Sequence, residues 1–237
     1  MMFQTHNQAA DMALATPLEP KGRLAPIGIF PPARGFERYS DMSGAELSLP
    51  TDPLPEIAPV APDWTGYLTT RTGFEFFTQP AVAADQTELA HFFEKVTPED
   101  LRFRFLSASP RVGPDELEAL ASFDHRTTEN FLAYDRDRTT IFASAMLAAD
   151  PALESAEVAM VILPEYKNRG ASWTMLELVT RVAQARGIKT LESLERRDHH
   201  AAIELEREMG FEAVECPGDA ALVIVRALLG KGLPKAA

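Results

Sequence analysis

The sequence has one cysteine, Cys216, among its 237 residues. An internal disulfide framework is therefore excluded, and a reducing compartment is expected. Long apolar segments are missing as well, because no run approaches the roughly 20 residues that a transmembrane helix needs. The first residues, MMFQTHNQAADM, contain neither a basic region nor an apolar core, so they do not predict a secretory signal. These features together predict a cytoplasmic protein with no membrane partner.

Positive charge is scarce, with 23 lysines and arginines against 35 aspartates and glutamates, a net charge of −12. Such an acidic chain argues against nucleic acid or an anionic membrane as the main partner. A metal site is not predicted either, because the His199-His200 pair has no cysteine or acid at ligand spacing. With 46% hydrophobic residues, the chain is long enough for one well-supported domain and an additional segment.

Regular hydrophobic periodicity is absent from residues 1–63. Prolines recur through this region, and the stretch LSLPTDPLPEIAPVAP has the composition of an extended linker. The sequence therefore predicts a disordered, proline-rich segment over 1–63, a folded domain over 64–230 and a short tail over 231–237. Isolated apolar patches within the first segment leave open that it docks on the domain or on a partner.

From Trp64 onward the sequence predicts a series of short elements, with strands and helices alternating in the second half. The predicted strands are a hairpin over 66–77 and the segments 130–134, 139–147, 157–163, 188–194, 211–214 and 221–225. The predicted helices are 84–96, a helix capped by Thr97, 114–123, 170–186 and a helix over 198–209 with Asp198 as its N-cap. The alternation implies a partly parallel sheet covered by helices.

The stretch from Ala156 to Trp173 carries the strongest functional signal. A β-rich run ends at Pro164 and leads through a polar turn into a long amphipathic helix, so backbone N–H groups at the helix start can bind an anion. The residues of this turn are Lys167, Asn168, Arg169, Gly170, Ala171 and Ser172. Gly170 and Ala171 are small enough to admit an anion, Lys167 and Arg169 add positive charge, and the Ser172 hydroxyl can donate.

The turn resembles the [Q/R]-x-x-G-x-[G/A] diphosphate motif of the GNAT superfamily of acyl-CoA-dependent N-acyltransferases. Lys167 stands where the family has glutamine or arginine, and Ser172 replaces the final glycine or alanine. The order of elements and the terminal Glu-Met-Gly-Phe at 208–211 are also similar, so the resemblance covers about 64–229. It implies an α/β (α+β) fold of the GNAT type, with a mixed central sheet and helices on both faces.

Within that superfamily the chain is most similar to the Pat-type bacterial protein lysine acetyltransferases. The segment 96–105 resembles their hSPExLxxRF motif, and the strand and turn over 156–170 are similar without a gap. The resemblance implies acetyl-CoA as cosubstrate, Glu157 as general base and an amine acceptor, either a protein lysine or a small amine. It places pantetheine beside Met160, Val161 and Ile162 and diphosphate on the turn 167–172, with a cofactor contact from His199.

Several roles stay open at this stage. Glu157 is either a partly desolvated base or an exposed acid in a surface pair. The tyrosine that many GNAT enzymes use as general acid falls near Glu206, which leaves that role unfilled. Because of this and of Lys167, Ser172 and His199, a degenerate domain that senses acyl-CoA or binds a protein is the alternative to an enzyme.

Three further residues are candidates for a role in the chemistry. The Asp124-His125 pair is either a polar loop or a substrate contact. Cys216 lacks a basic neighbour in sequence and is not expected to be a nucleophile. The preferred prediction is therefore direct acetyl transfer without an acyl-enzyme.

Overall fold

The computed structural model of the chain describes residues 64–106, 111–123 and 125–231. The predicted proline-rich segment 1–63 and residues 232–237 of the predicted tail lie outside these ranges. The strands are β1 (Gly66–Thr69), β2 (Glu75–Pro80), β3 (Thr128–Tyr134), β4 (Ile141–Ala149), β5 (Ser155–Ile162), β6 (Thr190–Arg196), β7 (Glu212–Glu215) and β8 (Leu222–Leu228). The helices are α1 (Gln86–Lys95), α2 (Pro98–Phe105), α3 (Pro114–Ala121), α4 (Ala171–Ala185) and α5 (His200–Glu208), and single 3₁₀ turns follow β2, β5 and β8.

The strands form one mixed sheet of eight strands in the order β1-β2-β3-β4-β5-β6-β8-β7. All neighbours are antiparallel except β5 and β6. That parallel pair is short, because its register runs only from Ser155–Thr190 to Glu157–Glu192. Beyond Glu157, β5 pairs only with β4, so the two parallel strands separate and the sheet opens at its centre.

Helices cover both faces of this sheet. Residues 141–147 of β4 are all buried, which requires packing on both sides of the strand. Helices α1 and α4 both contact β4, and α2 contacts β5. The buried residues of α4 include Met175, Leu176 and Val179. The predicted fold class is therefore confirmed, and among the described helices none is long and apolar enough to cross a membrane.

Local end signals in the sequence explain where most helices begin and end. The Thr97 hydroxyl oxygen accepts from the Asp100 backbone N–H at 3.1 Å, and Pro98 is the first residue of α2. Gly187 has a left-handed φ of +76° just after α4. The prediction that Asp198 caps the next helix is wrong, because α5 starts at His200 with His199 in the cap position. Asp198 instead accepts two hydrogen bonds of 2.9 Å from Arg196.

Candidate active site

A cleft with a volume of about 550 Å³ opens where β5 and β6 separate. One wall is β5, from Val158 to Ile162, and the opposite wall is formed by Glu195 of β6 and by the first turns of α5. The start of α4 closes one end. Because β5 has no strand partner on the cleft side beyond Glu157, peptide groups along that edge are available to a ligand.

The turn before α4 presents its backbone to this cleft. Asn168 and Gly170 adopt left-handed φ values of +62° and +80°, and the helix begins at Ala171. Among the described residues, no group accepts the N–H of residues 170–173, whereas Thr174 N–H already bonds the Gly170 carbonyl at 3.2 Å. These amides and the positive end of the helix dipole are therefore available to an anion.

Gly170 is required here for two separate reasons. Its φ of +80° is unfavourable for a residue with a side chain. A Cβ at this position would also lie 3.1 Å from the Thr70 Cβ, in the turn between β1 and β2. The Thr72 hydroxyl of the same turn donates to the Arg169 carbonyl at 2.6 Å. The β1–β2 turn therefore supports the conformation of the turn before α4.

The cations that the sequence placed at this site behave differently from one another. Lys167 lines the cleft, but its Nζ donates to Asp100 Oδ1 of α2 at 2.6 Å. The Arg169 guanidinium lies 5.2 Å from the Tyr166 ring centroid and 5.3 Å from that of Phe74, and it does not line the cleft. Ser172 lines the cleft, whereas Ala171 is buried beneath it.

A cation that sequence reasoning missed, Arg71, lies at the same end of the cleft. Its guanidinium lies 3.9 Å from the ring centroid of Trp173, in the first turn of α4. Both side chains line the cleft, and Arg71 has no carboxylate partner among the described residues. No local pattern links two residues so far apart in sequence, so only the folded chain reveals this positive group.

Glu157 lies at the point where β5 and β6 separate, paired in register with Glu192. Burial raises the pKa of its carboxyl to about 8; the Arg104 guanidinium opposes the rise, and Glu192 and Glu195 add to it. The carboxyl lines a small pocket that shares Phe103, Met160, Glu195 and His199 with the main cleft. A half-buried carboxyl of this kind can accept a proton near neutral pH.

His199 connects α2 to β6 at the side of the cleft. Its imidazole stacks on the ring of Phe103 from α2, with centroids 4.1 Å apart and an interplanar angle of 5°. Its Nδ1 lies 2.6 Å from Glu195 Oε2, which fixes the ring from the β6 side. The structure therefore brings His199 to the cleft together with two residues, Phe103 and Glu195, that the sequence did not single out.

A second carboxyl in the cleft belongs to Glu206 of α5. The residue is 5% exposed, and its Oε2 has no hydrogen-bond partner among the described residues. Burial, followed by the Glu195 carboxylate, raises its pKa to about 8. The sequence marks Glu206 as the position near which the tyrosine of many GNAT enzymes falls, and the structure shows that a buried carboxyl occupies it.

Two other residues that the sequence brings into question, His125 and Cys216, do not line the cleft. His125 Nδ1 lies 2.9 Å from Glu129 Oε1, and Glu129 also accepts from Arg186 at 2.9 Å in a buried cluster. Asp124, the neighbour of His125, lies outside the described residues. Cys216 is a free and buried cysteine that does not line the cleft.

The cleft lies between two separated strands of a mixed sheet and beside a helix N-terminus, and two carboxyls, those of Glu157 and Glu206, line it and its side pocket. A family model described as the acetyltransferase (GNAT) family matches residues 85–211, which is more than half of the chain. The chain therefore belongs to the GNAT acetyltransferase family and is an acyltransferase by that membership.

Solved structures share the fold at low sequence identity. The GNAT domain of S. lividans PAT matches with a TM-score of 0.66 and 20% identity, over 72% of this chain and 99% of that domain. The Vibrio cholerae spermidine N-acetyltransferase, solved with CoA and spermine, matches with a TM-score of 0.55 and 16% identity, over 66% and 96% of the two chains. A Sinorhizobium meliloti phosphinothricin acetyltransferase, solved with AcCoA, has a TM-score of 0.55 and 17% identity, over 66% and 90%.

Proposed function

We propose that this protein transfers the acetyl group of acetyl-CoA to a primary amine in one direct step, with Glu157 as the general base. One relationship carries the proposal: a single cleft leads from the free amides at the start of α4, along the unpaired edge of β5, to the pocket of Glu157. Coenzyme A has a matching order of groups, with diphosphate, pantetheine and thioester in sequence. The complexes of two structural neighbours with CoA and AcCoA support the same cosubstrate.

Each part of the cleft has a chemical role in this proposal. The amides of residues 170–173 bind the diphosphate. Peptide groups of Met160, Val161 and Ile162 on the free edge of β5 bind pantetheine, and an N–H from this edge polarises the thioester carbonyl. His199 and Phe103 border the passage between the main cleft and the Glu157 pocket.

The chemistry requires an amine that has lost a proton. The Glu157 carboxylate takes a proton from the incoming ammonium, and the freed nitrogen lone pair attacks the thioester carbon. The new C–N bond forms, the C–S bond breaks, and its electron pair leaves with sulfur. Because the pKa of Glu157 is raised to about 8 by burial, this carboxylate is a stronger base than an exposed glutamate.

The acceptor that we propose is a lysine side chain of another protein. The resemblance to Pat-type enzymes supports a lysine. The carboxylates of Glu192 and Glu195 raise the pKa of Glu157 by their negative charge, and the same charge attracts an ammonium group to this end of the site. A small polyamine carries the same kind of charge and is the competing acceptor. The experiment must therefore distinguish polyamines from lysine side chains.

The deciding experiment follows thiol release from acetyl-CoA across a panel of lysine peptides, small amines and polyamines. We expect turnover with lysine peptides and a raised melting temperature with acetyl-CoA alone. Turnover only with polyamines would contradict the lysine acceptor but keep the reaction. Stabilisation without turnover across the panel would indicate a binding module, and neither effect would overturn the proposal as a whole.

A further inference from the structure

Arg104 of α2 is a buried cation in the wall of the Glu157 pocket. The residue is 3% exposed and lines this pocket together with Glu157. Burial of a guanidinium is costly unless opposite charge and hydrogen bonds compensate for the lost water. The proposed reaction has so far given Arg104 no role, so its place beside the base needs an explanation.

Strand register places the Arg104 guanidinium over the same part of the sheet as the Glu157 carboxyl. Its Nη2 donates to the Met146 sulfur of β4 at 3.6 Å, and Met146 is paired with Ala159 of β5. Ala159 and Glu157 are two residues apart on one strand, so both face the same side. Diagonal neighbours such as Met146 and Glu157 lie about 7–8 Å apart across an antiparallel pair. The position of the cation beside the carboxyl therefore follows from contacts and register.

The packing of α2 fixes the position of this guanidinium. The helix contacts β5, and the Arg104 guanidinium lies 4.9 Å from the ring centroid of Phe105, the last residue of α2. On the other side of Arg104, the Phe103 ring stacks on His199 with centroids 4.1 Å apart. Arg104 is thus held between two anchored aromatic side chains.

Two carboxylates act on Glu157 in the opposite direction to Arg104. Glu192 is paired with Glu157 in register, and Glu195 lies further along β6. Burial raises the pKa of Glu157 to about 8; Arg104 lowers this pKa, whereas Glu192 and Glu195 raise it further. The cation therefore opposes both burial and the two neighbouring acids.

The other elements packed on β5 supply no further cation to Glu157. Strand β4 contains no charged residue. The His199 imidazole lines the pocket, but its Nδ1 lies 2.6 Å from Glu195 Oε2. The remaining charged residues of α2 and α4 are exposed or, for Asp100, paired with a lysine; they are Glu99, Asp100, Arg102, Glu177 and Arg181. Among the described residues, Arg104 is therefore the cation that acts on Glu157.

We propose that Arg104 is a positioning residue for the general base, and that its guanidinium holds the Glu157 carboxyl in the ionised form that accepts a proton. This role rests on the proposed function, since it takes Glu157 as the base. A carboxyl buried beside two other acids and without a cation would keep its proton at neutral pH. Burial lowers the pKa of Arg104 to about 10, and Glu157 opposes this fall, so the guanidinium is charged at neutral pH.

The test compares the full-length protein with Arg104→Met, which keeps a long side chain and removes the charge. With the best acceptor of the panel, the rise of kcat with pH should move upward by about one pH unit or more. At pH 7 kcat should therefore fall about tenfold or more, while the KM for acetyl-CoA changes about threefold or less. A residue with only a structural role would lower kcat equally at every pH.

Two matched variants control for charge and for position. Arg104→Lys keeps a cation in the pocket and should return most of the pH profile to its original position. Arg102→Gln removes a charge from an exposed position two residues earlier on the same helix, and it should match the unsubstituted protein. A lysine variant that behaves like Arg104→Met would contradict the role of charge.

A second measurement needs neither an acceptor nor a change at Arg104. The NMR signal of the Arg104 Nε–H group should shift with a midpoint of about 8 as Glu157 titrates, and Glu157→Gln should remove this step. A folded Arg104→Met protein with an unmoved pH profile overturns the role and leaves the acetyltransferase proposal intact. If the unsubstituted protein shows no turnover, the proposed function fails. In that case, or if Arg104→Met does not fold, the NMR step decides: its presence supports the hold of Arg104 on Glu157, and its absence overturns it.

Discussion

The Lys167 ammonium in the turn before α4 donates to the Asp100 carboxylate of α2 at 2.6 Å, and both residues line the cleft. This ion pair neutralises a cation that the sequence assigned to diphosphate. Asp100→Asn should release the cation and remove a negative charge beside the diphosphate. We expect the Kd for CoA, measured by titration calorimetry, to fall about threefold, because an exposed pair contributes little.

The exposed neighbour Glu99 provides the matched control for Asp100. Glu99→Gln removes the same charge from the same helix but has no contact with Lys167, so its Kd for CoA should stay unchanged. Weaker binding by Asp100→Asn would contradict the prediction and show that the pair is needed to shape the turn.

Glu157→Gln tests the assignment of the general base. Because Glu157 lies in the pocket beside the main cleft, we expect the Kd for acetyl-CoA to change little. Turnover should fall about 100-fold or more, since glutamine cannot accept the proton. The rise of kcat with pH on the acid side of about 8 should disappear with it, because that rise reports the raised pKa of Glu157. Unchanged turnover with a competent acceptor would contradict the assignment.

Arg71 should discriminate between CoA and its dephosphorylated form. The diphosphate occupies the amides of α4 in the proposed binding mode, and the 3′-phosphate needs a cation nearby. Arg71 has no described carboxylate partner and is held on Trp173. Arg71→Gln should raise the Kd for CoA about tenfold, as expected for a lost charge-assisted contact, and leave that for dephospho-CoA nearly unchanged.

Arg138 offers a matched control for this comparison. Its guanidinium also lies 3.9 Å from an aromatic centroid, that of Phe77, but it does not line the cleft. Arg138→Gln should leave both Kd values unchanged. An equal loss of affinity for CoA and dephospho-CoA in Arg71→Gln would place the 3′-phosphate elsewhere.

Two glycines allow the cost of backbone strain to be measured apart from the cost of a steric clash. Gly170 and Gly187 both have left-handed φ values, +80° and +76°, but only Gly170 has a close neighbour where a Cβ would lie. Gly187→Ala should lower the free energy of unfolding by about 1 kcal/mol. Gly170→Ala should lower it further, to a total of roughly 2–3 kcal/mol, and should also weaken CoA binding. Urea unfolding of both variants measures the difference, and equal losses would contradict the steric argument.

The sequence was sufficient for features set by neighbours along the chain. The strand–turn–helix at 156–173 and the Thr97 cap depend on local propensities and small-residue positions. The separation of β5 from β6 after Glu157 depends instead on long-range strand pairing, which no local period encodes. The contacts of Lys167 with Asp100 and of His199 with Phe103 likewise join distant segments. Asp198 was misassigned as a cap because its partner Arg196 competes for the carboxylate.

The raised pKa of Glu206 also predicts how stability depends on pH. Burial raises this pKa from 4.5, its ordinary value in an unfolded chain, to about 8 in the folded protein. Between these two pH values the folded state therefore binds a proton that the unfolded state releases. The contribution to stability is therefore complete below pH 4.5 and is lost as pH rises towards 8. Glu206→Gln should remove this loss. Between pH 5 and pH 8, the stability of the variant relative to the unsubstituted protein should therefore rise by roughly 2–4 kcal/mol.

Urea unfolding at both pH values measures this change, with the exposed Glu204→Gln as control. Since Glu157 shifts in the same direction, part of the slope should persist in the variant, and a slope unchanged by Glu206→Gln would show that Glu206 is already ionised in the folded protein.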